Sequence, residues 1–193
     1  MMEREELLLY VLKTLRSVDE VVELGVAGGE HALLIYKILN PKKLYLIDAW
    51  GLDEAYGEHT GENVDDFYPA LEKTRKIFEE KEAVQIIQGK TTTEYLKFED
   101  HKFDFIYIDA DHRYEPVKQD LTNWFPKLRI GGIIAGHDYN KQINNQYGVK
   151  QAVTEFIDNN KDTIKKITIF GRGGDILRGD AGWVIETKAA IGK

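Results

Sequence analysis

The order of apolar segments along the chain is the feature that most limits its fold. Short apolar runs typical of strands alternate with helical patterns five times. The predicted strands are residues 20–25, 43–51, 83–90, 103–111 and 131–138. Two more alternating segments, residues 163–170 and 182–187, predict a terminal hairpin. We therefore expect an α/β, doubly wound, mostly parallel seven-stranded sheet with a C-terminal antiparallel hairpin and helices on both faces.

The helical patterns supply the two covering layers. Apolar residues from Leu7 to Leu15 recur at helical spacing and predict a helix over residues 3–16. The other predicted helices are residues 29–39, 65–81, 92–98, 115–128 and 149–160. A chain of 193 residues, of which 42% are hydrophobic, can bury one substantial core. We predict a single domain over residues 1–193, in which residues 1–17 carry the N-terminal helix.

Composition excludes several classes of protein. The chain has no cysteine, which excludes disulfides, thiolate zinc sites and a cysteine nucleophile. A net charge of -7 argues against a nucleic-acid partner. Lys13 and Arg16 interrupt the apolar N-terminal segment, which lacks the layout of a signal peptide, and no run is long enough for a membrane span. We expect a cytoplasmic protein with no nucleic-acid or membrane partner.

The residues that follow the predicted strands are the strongest functional signal. In sheets of this kind, ligands bind outside the carboxyl ends of the strands. Carboxylates, glycines and histidines stand at these ends, namely Glu23 to Gly29, Asp48 to Trp50, Gly89 and Lys90, Asp109 to His112, and His137 to Asn140. Because parallel strands end at one rim of the sheet, we expect these side chains to meet there.

The stretch "ELGVAGG" (residues 23–29) joins the first predicted strand to the next helix. Its glycines permit either a tight structural turn or the close approach of a ligand. It is neither a G-x-G-x-x-G fingerprint nor a phosphate-binding P-loop. A pyrophosphate would lie poorly beside Glu23, whereas an ammonium or another hydrogen-bond donor suits its carboxylate.

The second predicted strand closes on Asp48, Ala49 and Trp50. An acid at this position can accept both hydroxyls of a ribose, or it can simply face solvent. For Trp50, packing against the sheet is the more common role, and contact with a base is the alternative.

The fourth predicted strand ends in "IDADH", which places Asp109, Asp111 and His112 within four residues. Histidine titrates near neutral pH, so His112 is a candidate general base. Asp111 is a candidate N-cap of the following helix. The histidines at positions 31, 59 and 101 are assigned surface or packing roles.

The segments "VVELGVAGGEHALLI", "LYLIDAWG" and "FDFIYIDADHRYEPVKQDLTNWFPKLRIGGIIAGHD" together resemble the class I methyltransferases, which use S-adenosyl-L-methionine and have a Rossmann-like fold. The resemblance implies that the loop from Glu23 to Gly29 holds the methionine part of the cofactor, that Asp48 binds the ribose, and that Gln88 to Lys90 flank the adenine. The implied cofactor-binding residues are Glu23, Gly25, Gly28, Gly29, Asp48, Ala49, Trp50, Gly89, Lys90 and Asp109.

Within that superfamily, "IDAD" resembles the metal-dependent O-methyltransferases of the catechol and caffeoyl-CoA type and those that act on antibiotic sugars. This resemblance implies a divalent metal, Mg or Mn, on Asp109, His137 and Asp138. His137 replaces an acid of the sugar-modifying branch, and imidazole favours a Mn-like ion over Mg. His112 stands where the catechol type has a catalytic lysine. The implied catalytic residues are therefore His112, Asp109 and Asp138.

The expected reaction is O-methylation of a small-molecule or sugar hydroxyl. Residues 51–64 and 138–148 are candidate lid segments, with Tyr56, Tyr139 and Tyr147 as acceptor contacts. Two alternatives stay open, namely an NAD-dependent oxidoreductase and a non-catalytic cofactor-binding module of the same fold. The N-terminal helix either caps the site or forms a homodimer contact.

Overall fold

The computed structural model describes residues 2–52, 67–140, 148–171 and 181–189. The helices are α1 (Met2–Thr14), α2 (Glu30–Leu39), α3 (Tyr68–Phe78), α4 (Thr91–Glu94), α5 (Tyr114–Trp124) and α6 (Val149–Asn159). The strands are β1 (Glu20–Leu24), β2 (Lys43–Asp48), β3 (Val84–Gln88), β4 (Phe103–Ile108), β5 (Leu128–Gly136), β6 (Ile164–Phe170) and β7 (Gly182–Thr187). Within these ranges, no helix is both long and apolar enough to cross a membrane.

The seven strands form one sheet in the order β3-β2-β1-β4-β5-β7-β6. The first five strands in the chain run parallel to one another. Strand β7 lies between β5 and β6 and runs antiparallel to both. The order reverses beside β1, so β1 and β4 flank the switch point at which ligands bind in such sheets. The predicted fold class and the antiparallel C-terminal strands are confirmed.

Helices cover both faces because the central strands are buried on both sides. Val21 of β1 packs in the layer of α1, α2 and α3, whereas its neighbour Val22 packs in the layer of α5 and α6. All six residues of β4 are buried, as expected for a central parallel strand. Burial of both faces leaves the carboxyl ends of the strands as the place where a ligand can enter.

The predicted boundaries around α5 differ from the structure. Asp111 is not the N-cap of α5, because the helix begins at Tyr114 and the Asp111 carboxylate instead accepts the backbone N–H of Arg113 at 2.9 Å. The helix also ends at Trp124, and Pro126 lies in a 3-10 turn. Proline has no N–H to continue an α-helix, and β5 consequently starts at Leu128 rather than at residue 131.

The turn after β1 depends on the absence of a side chain at Gly25. Its φ is +82°, and a Cβ atom there would lie 2.2 Å from the carbonyl oxygen of Asp109. The Gly25 N–H donates to the carbonyl of Ile47 at 2.9 Å, and the Asp109 N–H donates to that of Leu24 at 2.7 Å. Gly25 therefore lets the ends of β2, β1 and β4 meet at one level.

We expect Gly25→Ala to destabilise the fold far more than Gly131→Ala does. Gly131 has nearly the same φ, +80°, but a Cβ atom there would meet its nearest neighbour at an ordinary 3.5 Å. The left-handed backbone conformation costs an alanine about 1–2 kcal/mol. Urea unfolding of Gly131→Ala therefore measures the cost of this backbone strain alone. Gly25→Ala adds the clash with the Asp109 backbone, for a total of about 3 kcal/mol or more. Equal losses in the two variants would contradict this account of Gly25.

Candidate active site

A cavity of about 480 Å³ opens at the carboxyl ends of the strands. Its wall includes Gly25 after β1, Asp48 at the end of β2, and Asp109 after β4. Thr91 at the start of α4 and Asp120 of α5 line another part of the wall. A cavity of this size can enclose a cofactor-sized small molecule.

The structure brings part of the predicted cofactor set together in this cavity. The predicted residues on its wall are Gly25, Asp48, Ala49, Trp50, Lys90 and Asp109. Glu23, Gly28, Gly29 and Gly89 are not among the residues that line the cavity. Their predicted contacts with the cofactor stay predictions.

Asp48 anchors the loop that follows β1. Its Oδ2 accepts the backbone N–H groups of Val26 at 2.7 Å and Ala27 at 2.9 Å. Its Oδ1 accepts the N–H of Trp50 at 2.8 Å. An ionised carboxylate has about four acceptor positions, so Asp48 can hold the loop and still accept a hydrogen bond from a ligand such as a ribose.

Trp50 contributes mainly to packing, which is the role the sequence favoured. Only 1% of its surface is exposed, and its ring packs in the layer of α1, α2 and α3. The indole N–H donates to the carbonyl of Ala27 at 2.9 Å. Trp50 therefore fixes the same loop that Asp48 anchors.

Glu23 forms a buried polar cluster beneath this loop. The Nδ1 of His31 lies 2.6 Å from Glu23 Oε1, and the His31 ring packs on Tyr107 with a centroid distance of 4.2 Å. Burial raises the pKa of Glu23, and His31 opposes that shift. Glu23 Oε2, His31 Nε2 and the Tyr107 hydroxyl are buried without a hydrogen-bond partner among the described residues.

Asp109, His112 and Asp138 form a second charged group at the ends of β4 and β5, which we call the acid–histidine cluster. His112 Nε2 lies 2.9 Å from Asp138 Oδ2 and 3.2 Å from Asp109 Oδ1. One imidazole therefore bridges both carboxylates. The three residues that were predicted to be catalytic meet in space, and Asp109 and His112 line the cavity.

The bridge sets the charge state of His112. Burial favours the neutral imidazole, but hydrogen bonds to Asp109 and Asp138 outweigh it and raise the pKa of His112 to about 9. For Asp138, burial is likewise outweighed, and its bonds to His112 and His137 hold its pKa well below the usual range. At neutral pH, His112 is therefore mainly a cation that donates to the carboxylates, rather than the base near neutral pH that the sequence suggested.

Arg4 of α1 also reaches the acid–histidine cluster, and the sequence reasoning did not identify it. Its Nη2 donates to Asp109 Oδ2 at 2.9 Å. The side chains of Arg4 and Asp109 are 29% and 13% exposed, so this ion pair is only partly screened by water. The sequence contained an indication of this role. Arg4 precedes the buried residues Leu7 and Leu8 by one helical turn, so it lies on the same face of α1.

The residues predicted to bind a metal are also close together. Asp109, His137 and Asp138 each offer one ligand atom, and these atoms lie within 4.8 Å of one another. Two carboxylates and an imidazole fit a divalent ion, and the imidazole favours Mn over Mg. In this structure, however, the carboxylate charge is already paired with Arg4 and His112. A metal must therefore compete with two cations of the protein itself.

The backbone at Asp138 is strained. Its φ is +56°, in the left-handed region that is uncommon for residues other than glycine, although aspartate is among the types enriched there. The residue is 5% exposed and directly follows His137, which is 8% exposed. This conformation turns the chain sharply after β5 and places the Asp138 carboxylate against His112.

Asp120 is a buried acid on the cavity wall that the sequence reasoning also missed. It is 1% exposed, and its Oδ1 has no hydrogen-bond partner within the described part of the chain. Burial raises the pKa of Asp120 to about 7, although a hydrogen bond with the Thr91 side chain opposes the shift. The helical spacing in the sequence indicates its burial, because Asp120 shares the buried face of α5 with Val117, Leu121 and Trp124.

We expect Asp120→Asn to stabilise the protein at pH 8 and to have little effect at pH 4. The folded state raises the pKa of Asp120 above its unfolded value of 3.8. Folding therefore favours the protonated acid, and wild-type stability falls as pH rises from about 4 through 7. Removing the charge should raise the free energy of unfolding at pH 8 by roughly 4 kcal/mol, as measured by urea unfolding.

The matched control is Asp158→Asn, an acid on the surface of α6 whose side chain is 60% exposed. This substitution should change the free energy of unfolding by less than about 0.5 kcal/mol at either pH. A loss of stability in Asp120→Asn at pH 8, or a gain of equal size at pH 4, would contradict the assignment of an ionised, poorly solvated Asp120.

Several predicted elements fall outside the described residues. They are Tyr56, His59, Tyr147, and most of the candidate lid segments 51–64 and 138–148. Of the predicted acceptor contacts, Tyr139 is described; it packs against the layer of α5 and α6, and its N–H donates to the carbonyl of Ala181 at 2.9 Å.

A protein of Sinorhizobium fredii, "Uncharacterized protein y4gI", is 31% identical to this chain over 125 residues. The match covers 61% of this chain but only 13% of that protein, so the chain corresponds to a small part of the relative's length.

Solved structures with the same fold include two whose names describe methyltransferases. SMU.1697c of Streptococcus mutans, in complex with S-adenosylhomocysteine, superposes with a TM-score of 0.70 and 16% identity over 96% of this chain and 97% of that chain. The N-methyltransferase NodS of Bradyrhizobium japonicum superposes with a TM-score of 0.66 and 13% identity over 97% and 95% of the two chains. At these identities, the likeness concerns the fold.

The family described as "Methyltransferase domain" matches residues 22–139, which run from β1 to the strained turn after β5. This match spans more than half of the chain. It contains both the glycine-rich loop after β1 (residues 23–29), called the glycine loop below, and the acid–histidine cluster. The protein therefore belongs to the methyltransferase domain family and has the fold of the class I, S-adenosylmethionine-dependent methyltransferases.

Proposed function

We propose that the protein transfers a methyl group from S-adenosylmethionine to a hydroxyl oxygen of a small molecule or sugar. The observation that carries this proposal is the acid–histidine cluster, two carboxylates bridged by one imidazole on the wall of the cavity. Such a group can accept a hydrogen bond from an acceptor hydroxyl and take up its proton. The name of NodS, an N-methyltransferase, shows that this fold also serves other acceptor atoms.

The residues around the cavity fit the cofactor. The glycine loop fixed by Asp48 and Trp50 forms one wall, and Asp48 keeps acceptor capacity for ribose hydroxyls. The cofactor supplies an activated methyl group on its sulfonium sulfur. The protein contributes alignment of acceptor and methyl group, which is the larger part of catalysis in such a transfer.

Proton removal is assigned to His112. As the acceptor oxygen forms its bond to the methyl carbon, the hydroxyl becomes strongly acidic and gives up its proton. His112 accepts the proton in its neutral form, and Asp109 and Asp138 stabilise the resulting imidazolium. Because these carboxylates raise the pKa of His112 to about 9, the base form becomes more abundant as the pH rises towards that value.

Asp109, His137 and Asp138 would hold a divalent ion if one binds. Its positive charge would lower the pKa of an acceptor hydroxyl beside it. Arg4 and His112 supply positive charge at the same carboxylates, so the protein's own cations can perform part of this electrostatic role.

The oxidoreductase alternative has no support from the site. The loop after β1 lacks the G-x-G-x-x-G fingerprint of dinucleotide-binding proteins, and the family match is to methyltransferases. A non-catalytic cofactor-binding module remains the second candidate, and product formation distinguishes it from an enzyme.

The test of the proposed function is transfer of a deuterated methyl group. The protein is incubated with S-adenosylmethionine that carries a CD₃ group and with fractionated small-molecule extracts, and products are identified by mass spectrometry and NMR. We expect thermal stabilisation by S-adenosylhomocysteine but not by NAD, and a labelled methyl group on oxygen. Label only on nitrogen or carbon would overturn the O-methyl assignment, and binding without product would favour the binding module.

We expect His112→Ala to lower the methylation rate by roughly 10²–10⁴-fold while the affinity for S-adenosylhomocysteine changes little. His112→Asn should also be slow, because it restores a donor to the carboxylates but not a base. The wild-type rate should rise with pH from about 6.5 to 9, since only neutral His112 accepts a proton. Full activity in His112→Ala, or a flat pH profile, removes His112 from the proton transfer.

We expect Arg4→Ala and Arg4→Gln to tighten Mn²⁺ binding by about tenfold or more, because each variant removes a competing charge from Asp109. Binding is measured by the loss of the free Mn²⁺ signal in electron paramagnetic resonance. Arg75→Ala is the control, since Arg75 is exposed on α3 and pairs with Glu72. Equal Mn²⁺ affinity in wild-type and Arg4 variants would show that Arg4 does not limit the metal site.

A further inference from the structure

The outward face of α1 carries two exposed leucines. Leu9 and Leu12 are each 44% exposed, and their spacing of three residues makes them neighbours on the helix surface. Every exposed residue of α5 and α6 is polar instead, as Lys118 and Thr154 illustrate. Single exposed apolar residues are common on proteins, but adjacent ones on a single helix face form a surface that another apolar surface can cover.

The opposite face of α1 holds the helix on the sheet. Leu8 and Val11 are fully buried there, and Arg4 reaches Asp109 from the same side. The exposed surface of the two outward leucines therefore contributes nothing to the packing of α1 on its own sheet. Covering this surface would remove apolar area from water, which favours association.

The spacing of residues along the outward face is that of a coiled-coil seam. Glu5, Leu9, Leu12 and Arg16 follow one another at intervals of four, three and four residues, as the core positions of a heptad repeat do. If a second copy of α1 runs antiparallel about a two-fold axis, Leu9 of each copy faces Leu12 of the other. The same register places Glu5 of each copy opposite Arg16 of the other.

The charges along this face are self-complementary. Glu5 and Glu6 stand near its amino-terminal end, and Lys13 and Arg16 near its carboxyl-terminal end. Arg16 follows the last helical hydrogen bond, which the N–H of Leu15 donates at 3.0 Å. Among the described residues, these four charged side chains have no ion-pair partner. An antiparallel second copy brings acids against bases at both ends, whereas a parallel copy would bring like charges together.

We propose that the outward face of α1 is a homodimer interface, in which α1 packs antiparallel against α1 of a second copy about a two-fold axis. Such an interface uses the same patch of both chains, as the self-complementary charges require. Each α1 then lies between its own sheet and the second copy, which keeps Arg4 against Asp109. The two faces of the helix thus meet both roles that the sequence left open, a cap on the site and a dimer contact. Dimer formation of this kind does not depend on methyl transfer.

Sedimentation velocity over a range of protein concentrations tests the interface. A single pair of 13-residue helices makes a small contact, so we expect a dimer dissociation constant of about 1–100 μM. Leu9→Gln and Leu12→Gln should each raise this constant by about 30-fold or more, because the symmetry removes each apolar contact twice. Both variants should fold, since they replace exposed leucines by a good helix former.

Ile169→Gln is the matched control. Ile169 is 40% exposed on the edge strand β6, and its register partner Trp183 packs in the layer of α5 and α6, on the face of the sheet away from α1. This variant should dimerise like the wild type. A wild-type protein that stays monomeric about tenfold above the expected range, or a dimer that both leucine variants leave intact, would overturn the proposal.

Charge exchange tests the antiparallel arrangement. Glu6→Lys sets lysine against Lys13 of the second copy, and Lys13→Glu sets acid against Glu6, so each variant alone should dimerise about tenfold more weakly at low salt. The double variant Glu6→Lys/Lys13→Glu restores opposite charges and should return to within about threefold of the wild type. An equimolar mixture of the two single variants should form a heterodimer. If single reversals have no effect, or if the double variant is not restored, the antiparallel pairing of α1 is wrong.

Discussion

The contact between Gly25 and the backbone of Asp109 is the constraint on which the rest of the site depends. It allows the chain to leave β1 directly against the end of β4, so that the following loop turns back over the sheet. Asp48 can then receive the amides of that loop, and Trp50 can close the turn from the other side. A side chain at position 25 would push β4 away and carry Asp109 and His112 with it. The close approach of these two backbones therefore positions both the loop after β1 and the acid–histidine cluster.

Charge balance is the second organising feature of the site. Asp109 and Asp138 lie close together with little exposure to water, where unpaired carboxylates are unfavourable. Arg4 comes from the N-terminal helix and His112 from the end of β4, so the two cations that balance the acids belong to distant parts of the chain. The packing of α1 on the sheet and the charge of the acid–histidine cluster are consequently coupled through Arg4. A sulfonium cation or a divalent ion bound nearby would change the charge balance that holds Arg4 in place.

The sequence predicted the fold and the rim of the sheet because both follow from local pattern. Alternating periods identify strands and helices, and parallel strands necessarily end at one edge, which is why Asp48, Asp109 and Asp138 were found together. The roles of Arg4 and Asp120 depend instead on how α1 and α5 dock on the sheet. Each residue interrupts an apolar stripe, so the sequence marks it as unusual, but only the packed structure shows which partner it meets. The pKa of His112 was missed for the same reason, since it depends on two acids that converge from different strands.

The distribution of unsatisfied polar groups links stability to binding. Asp104, at the amino-terminal end of β4, has a full set of partners, whereas Asp120 Oδ1 and Glu23 Oε2, beside and beneath the cavity, have none among the described residues. Each such atom costs about 1–3 kcal/mol while it lacks a partner. A ligand that supplies donors at the cavity removes such a cost in addition to its own burial, so its binding and the stability of the surrounding helices rise together. Beside the cavity, therefore, the fold holds unpaired polar groups for which a ligand can supply partners.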